Sequence, residues 1–121
     1  MAGAVCGTVA LVDKVMGTFL RSGGLNLSPF NAWVVMKGLE TLSLRVKAES
    51  AAALELAAWL EAHPKVARVY YPGLKSHPQH ELASRQMNGR YGGMVTALID
   101  GDLERTKRVL ERVQVFTLAE S

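Results

Sequence analysis

SPFNAWVVMKGLETLSLRVKAESAAALELAAWLEAH, residues 28–63, decides how this chain is read. The stretch predicts one long helix. Ser28 suits the N-cap, because its hydroxyl can accept an unpaired amide hydrogen of the first turn. Pro29 follows at the first helical position, where a missing N–H costs nothing. No proline intervenes before Pro64, and Ala, Leu, Glu and Lys, all strong helix formers, dominate between. A helix over residues 28–63 would run roughly 50 Å, longer than a domain of this size is wide. It should therefore kink or reach toward another body, and Gly38 is the expected weak point. Trp33, Met36 and Leu39 recur at helical spacing, as do Val35, Leu42 and Val46, and the two tryptophans, Trp33 and Trp59, read as core or interface anchors. The Ala51-Ala52-Ala53 run suggests close packing against another element.

Upstream, residues 2–8 (AGAVCGT) are small and β-tolerant and predict a short buried strand, with Cys6 an inert buried thiol. Residues 10–21 place Leu11, Val15 and Phe19 beside Val12 and Met16, a helical period that Ser22-Gly23-Gly24 should end. Downstream, His63-Pro64 stops the long helix. Residues 66–71 predict a strand, Pro72-Gly73 a turn, residues 76–86 a short helix, and residues 94–99 a second strand. Asp102 should cap a further helix with Leu103, Val109 and Leu110 inward, and residues 115–118 predict a last strand. From Val66 the order is strand, helix, strand, helix, strand, an α/β layer pattern with a sheet covered by helices.

Composition excludes several classes. The 121 residues, 49% hydrophobic, can bury one modest core. The net charge of +3 is scattered; a nucleic-acid footprint would be a denser basic face with aromatic platforms. A single cysteine rules out an internal disulfide, and with three histidines it argues against a structural zinc site. His77 and His80 stand three apart and could hold a metal, but no third ligand is evident, and an exposed loop entering a helix explains them. No apolar run reaches the ~20 residues of a membrane span. Residues 1–12 lack the basic region of a secretory signal, which fits a reducing, cytoplasmic setting. Gly89-Arg90-Tyr91-Gly92-Gly93 matches no phosphate-loop template and is expected to bend the backbone. No acidic pair is poised for acid–base work, and spacing by itself gives a soluble α/β domain without a reaction.

Several phrases taken together resemble the pyridoxal-phosphate enzymes of cysteine and methionine metabolism: the cystathionine γ-synthases, γ-lyases and β-lyases and O-succinylhomoserine sulfhydrylase. They are Leu27-Ser28-Pro29-Phe30-Asn31-Ala32, Lys37-Gly38-Leu39-Glu40-Thr41-Leu42, Leu44-Arg45, His63-Pro64-Lys65-Val66, Tyr71-Pro72-Gly73-Leu74, Ser76-His77-Pro78-Gln79-His80-Glu81-Leu82, Gly92-Gly93-Met94-Val95, and Phe116-Thr117-Leu118-Ala119-Glu120-Ser121. Their order and gaps agree from end to end.

The resemblance implies an α/β fragment of a fold-type I, aspartate-aminotransferase-like enzyme. Residues 1–27 would end the large cofactor-binding domain, 28–63 form a long interdomain helix, and 64–121 begin the C-terminal α/β domain. Family members are about three times this length, so an internal piece is expected. It further implies pyridoxal 5'-phosphate as the parent's cofactor, whose ring acts as an electron sink for the substrate carbanion. An amino-acid substrate, a homo-oligomeric parent (a dimer of dimers), and no nucleic-acid or membrane partner go with it. The family's Schiff-base lysine lies in a Ser-x-Thr-Lys motif that does not stand here; Arg105-Thr106-Lys107 belongs to a charged helix and is no candidate. No catalytic, cofactor-binding or metal residue is therefore expected in the piece. Glu120 and Ser121 match the start of a family segment that lines the substrate pocket and helps seat the amino-acid carboxylate. The alternative reading is a non-catalytic α/β binding or oligomerisation module built on the long helix. Which family reaction the parent runs (γ-replacement, γ-elimination or β-elimination) is left open.

Overall fold

The computed structural model describes residues 3–24 and 26–119. They fall into two units, residues 1–43 and 44–121.

In the first unit, residues 3–8 form no strand and are exposed, so the strand expected there is not made and Cys6 is exposed rather than buried. A strand is held by cross-strand pairs, and among the described residues no neighbour supplies them. The Thr8 hydroxyl accepts the Leu11 N–H at 3.3 Å and its carbonyl accepts that of Val12 at 3.0 Å. The chain then runs as a π-helix, Ala10–Met16, and tightens into α1, Gly17–Ser22. Gly24, at φ +65°, supplies the left-handed turn beyond the helix end. Helix α2, Pro29–Glu40, starts as expected: the Ser28 hydroxyl accepts the Asn31 N–H at 3.3 Å, with Pro29 next.

The long helix is not continuous. Gly38 stays within α2, and the break falls at Thr41, whose φ of −106° and ψ of 1° leave the helical region. A β-branched residue is crowded against the preceding turn and holds helical geometry less well than its neighbours. Helix α3, Leu42–Glu61, follows and lies in the second unit from Leu44 onward.

The second unit holds every buried residue among those described. Ser50, Ala53 and Ala57 recur at helical spacing and form the buried stripe of α3. Their small side chains bring α3 against Val69, Tyr71 and Leu74, with Leu60, Val66, Tyr91 and Val95 packed around them. Of the alanine run only Ala53 is buried; Ala51 and Ala52 face solvent.

Strand β1, Val66–Tyr70, pairs antiparallel with β2, Thr96–Ile99, in the register Val66–Ile99, Arg68–Leu98, Val69–Ala97, Tyr70–Thr96, with an irregularity between Val66 and Arg68. Between the strands lies α4, His80–Met87, which ends on Asn88 and Gly89, both at positive φ. After β2, the Asp102 carboxylate caps α5, Leu103–Leu110, by accepting the Arg105 N–H at 2.8 Å.

Four expectations fail in this unit. Helix α4 starts at His80 rather than Ser76. Strand β2 starts at Thr96 rather than Met94. The apolar residues of α5 do not turn inward: Leu103, Val109 and Leu110 are all exposed. Residues 115–118 form no strand and stand in solvent, Val115 at 88% exposure. The last two share a cause, since the two strands formed among the described residues offer α5 and the final segment little apolar face to cover.

Candidate functional site

The sequence phrases converge on one side chain. Tyr71 is wholly buried, and its hydroxyl lies 2.9 Å from the Gly92 carbonyl oxygen and 3.2 Å from that of Ser50. The Ser50 hydroxyl accepts the Gly92 N–H at 3.0 Å. One phenol and one hydroxyl thus tie α3 to the glycine-rich turn of residues 89–93. Gly92 is at φ +80°, a conformation a side chain would strain. Burial, and then the neighbouring Tyr91 phenol, push the Tyr71 hydroxyl above its ordinary value of 10.0, so it holds its proton and remains a donor.

A second chain of hydrogen bonds runs from the same turn. Tyr91 stacks edge-on against Tyr71, ring centres 6.2 Å apart, and its hydroxyl lies 2.8 Å from the Ser84 hydroxyl. Ser84 lies 3.5 Å from Nε2 of His80. Nδ1 of His80 is 2.8 Å from the Pro72 carbonyl oxygen. A carbonyl only accepts, so Nδ1–H is the donor to Pro72. Gly73 fits beneath both rings: a Cβ there would lie 2.6 Å from Cε1 of Tyr71 and 2.8 Å from Cδ2 of Tyr91. The Tyr71-Pro72-Gly73-Leu74, Ser76–Leu82 and Gly92-Gly93 phrases are therefore one packed hub on α3.

The hub's hydrogen bonds join α3 to the turn at Gly92 and α4 to the turns on either side of it. The His77–His80 pair does not gather into a metal site: His77 accepts the Gln79 N–H at 3.2 Å, His80 is engaged as above, and no cluster of three or more metal-type side chains exists among the described residues. His77, His80, Glu81 and Lys75 line an open cavity of about 410 Å³ beside the hub. The tryptophans are not core anchors here; Trp33 is 55% exposed and stacks at 6.1 Å on Phe30, and Trp59 is 60% exposed and lies 5.0 Å from the His63 ring. Glu120 and Ser121 lie outside the described residues. Sequence pattern does not disclose the hub: it ends a strand at Tyr71 and singles out neither Ser50 nor Ser84.

The sequence profile of the Cys/Met metabolism PLP-dependent enzymes matches residues 1–121, the whole chain. The chain belongs to that family. Among curated relatives, the cystathionine beta-lyase of Coxiella burnetii is 53% identical over 98 residues, which are 81% of this chain and 25% of the relative. The O-succinylhomoserine sulfhydrylase of Pseudomonas aeruginosa is 48% identical over 118 residues, 98% of this chain and 29% of the relative. Among solved structures, the cystathionine gamma synthase of Xanthomonas oryzae pv. oryzae, crystallised with aminoacrylate and cysteine, superimposes with a TM-score of 0.76. It is 37% identical and covers 83% of this chain and 26% of that one. The chain thus spans between a quarter and three tenths of these relatives, and its fold is a portion of the fold-type I architecture.

These residues do not by themselves make a seat for the family's cofactor. Every lysine is solvent-exposed, and Lys37 and Lys107 are paired at 2.8 Å with Glu40 and Glu104. No lysine sits in a Ser-x-Thr-Lys motif. A Schiff-base lysine works from a desolvated pocket, and no lysine here is buried.

Proposed function

We propose that these 121 residues are one portion of a pyridoxal-phosphate-dependent transsulfuration enzyme. The complete protein makes or cleaves carbon–sulfur bonds on homoserine- or cysteine-derived amino acids. The observation that carries this reading is the match of the family profile along the whole chain, while the same chain spans only about a quarter of its relatives. In this reading residues 1–27 close the large domain, 28–63 link the domains, and 64–121 open the C-terminal α/β domain. Glu120 and Ser121 then line the substrate pocket and help seat the amino-acid carboxylate. The complete enzyme is a cytoplasmic homo-oligomer, a dimer of dimers, that supplies the covalent lysine and the cofactor's phosphate seat from residues outside this portion. No helix among the described residues is long and apolar enough to cross a membrane.

The portion alone does none of the chemistry. Its part is structural: the Tyr71 hub sets the turn at Gly92, and the exposed apolar side of α2 waits for neighbouring polypeptide. The test is to mix the 121-residue chain with pyridoxal 5'-phosphate, remove free cofactor, and record the visible spectrum. The polypeptide translated from the complete surrounding reading frame is treated alongside. The chain is expected to retain no cofactor band. The complete polypeptide is expected to retain one and to turn over cystathionine, or O-succinylhomoserine with a thiol. A band on the isolated chain, or a complete polypeptide that neither holds the cofactor nor reacts, overturns the reading.

A further inference from the structure

Away from the hub, the last turns of α3, both strands and α5 enclose a cavity of about 200 Å³. Trp59, Leu60, Val66, Ile99 and Val109 make its lining almost wholly apolar. A second cavity of about 230 Å³ adjoins it, and Lys65, Arg105 and Val109 belong to both. Arg108 and Arg112 complete the second cavity. An apolar hole therefore opens beside a cup of four cations.

Three observations give the pair a purpose. First, no carboxylate lines either cavity. Arg105 has a loose ion pair with Asp100, 3.8 Å away, while Lys65, Arg108 and Arg112 have no acidic partner among the described residues. Second, Arg105, Arg108 and Val109 follow at i, i+3 and i+4, which puts them on one side of α5, and Arg112 stands in the turn just beyond its end. Cations in a last helical turn also favour the helix dipole, which accounts for Arg108 but not for Lys65 or Arg105. Third, the apolar hole lies below the ~300 Å³ at which pockets for drug-sized ligands begin, so its occupant is small.

The geometry points to a binding site for a small amphipathic carboxylate. Its aromatic or branched apolar body fills the hole against Trp59, Ile99 and Val109, and its carboxylate lies among Lys65, Arg108 and Arg112. The site is separate from the cofactor reading above and uses no residue of the Tyr71 hub. Charge complementarity selects the anion, since a neutral apolar molecule leaves Lys65, Arg108 and Arg112 unanswered.

The experiment titrates 3-phenylpropionate, and in parallel its neutral amide, into the ¹⁵N-labelled chain at low ionic strength while amide resonances are followed. Expected are saturable shifts at Val66, Ile99 and residues 105–112, with submillimolar affinity for the carboxylate that weakens as salt is added. The amide, and the carboxylate against an Arg108→Gln/Arg112→Gln variant, should each bind about three- to tenfold more weakly, the range expected for two exposed ion pairs. Both arginines are exposed, so the variant keeps the fold. Equal binding of acid and amide, an unchanged variant, or shifts that do not saturate or that fall elsewhere would overturn the site.

Discussion

The two units carry comparable helix but very different cores. In residues 1–43 no described residue is buried, although α2 is capped by Ser28 and carries Phe30, Trp33, Met36 and Leu39 at helical spacing. In residues 44–121 an equally ordinary helix, α3, buries Ser50, Ala53 and Ala57 because Tyr71 and Val69 lie against it. Caps and propensity shape a helix, but packing of one face is what stabilises it. The second unit owns that packing and the first does not.

This contrast can be broken most forcefully at the hub. Gly73→Ala places a methyl group within 2.8 Å of two tyrosine rings that cannot both retreat. Overpacking of that kind typically costs about 1–3 kcal/mol, so chemical denaturation followed by tyrosine fluorescence should show a clear loss of midpoint. An unchanged midpoint would mean that Tyr71 and Tyr91 are not held as described.

The same hub predicts a pH dependence. Because the Tyr71 hydroxyl is raised above 10.0 in the folded chain, the unfolded chain ionises first as pH rises. The contribution is whole below pH 10 and is lost as pH climbs through the folded value. Denaturation midpoints at pH 9 and pH 11 should differ more in the natural chain than in Tyr71→Phe, which isolates this group from the other phenols and the lysines. At neutral pH that variant leaves the Ser50 and Gly92 carbonyls without their donor, a loss of about 1–3 kcal/mol.

The smallest effect is expected in the first unit. Trp33→Ser removes a large but exposed ring and should move stability by less than about 0.5 kcal/mol, while improving solubility because an exposed apolar patch is reduced. A large destabilisation would show that α2 has a packed partner after all.

What the sequence made legible follows the same division. The Ser28 cap, the Pro29 start, the Asp102 cap and the turn at Pro72-Gly73 are local devices, written in two to four adjacent residues, and all are present. The family resemblance was legible too, because it is carried by short phrases in order. The hub was not: Ser50, Tyr71, Gly92 and Ser84 meet only through tertiary contact, and no spacing rule announces them. The expected strands at residues 2–8 and 115–118 failed for the complementary reason, since β-tolerant residues become a strand only where an edge receives them. The break at Thr41 rather than Gly38 shows a β-branched residue, not the glycine, setting the limit of α2. Glu120 and Ser121 lie beyond the described residues, so the expectation for them rests with function.

The difference between the units is most directly measured by residue-resolved amide hydrogen exchange at neutral pH. Slow exchange should be confined to residues in and around Ser50–Ala57, Val66–Leu74 and the turn at Gly92, with residues 29–40 exchanging orders of magnitude faster. Protection across α2 equal to that of α3 would contradict the account, because it would place a core where none is buried.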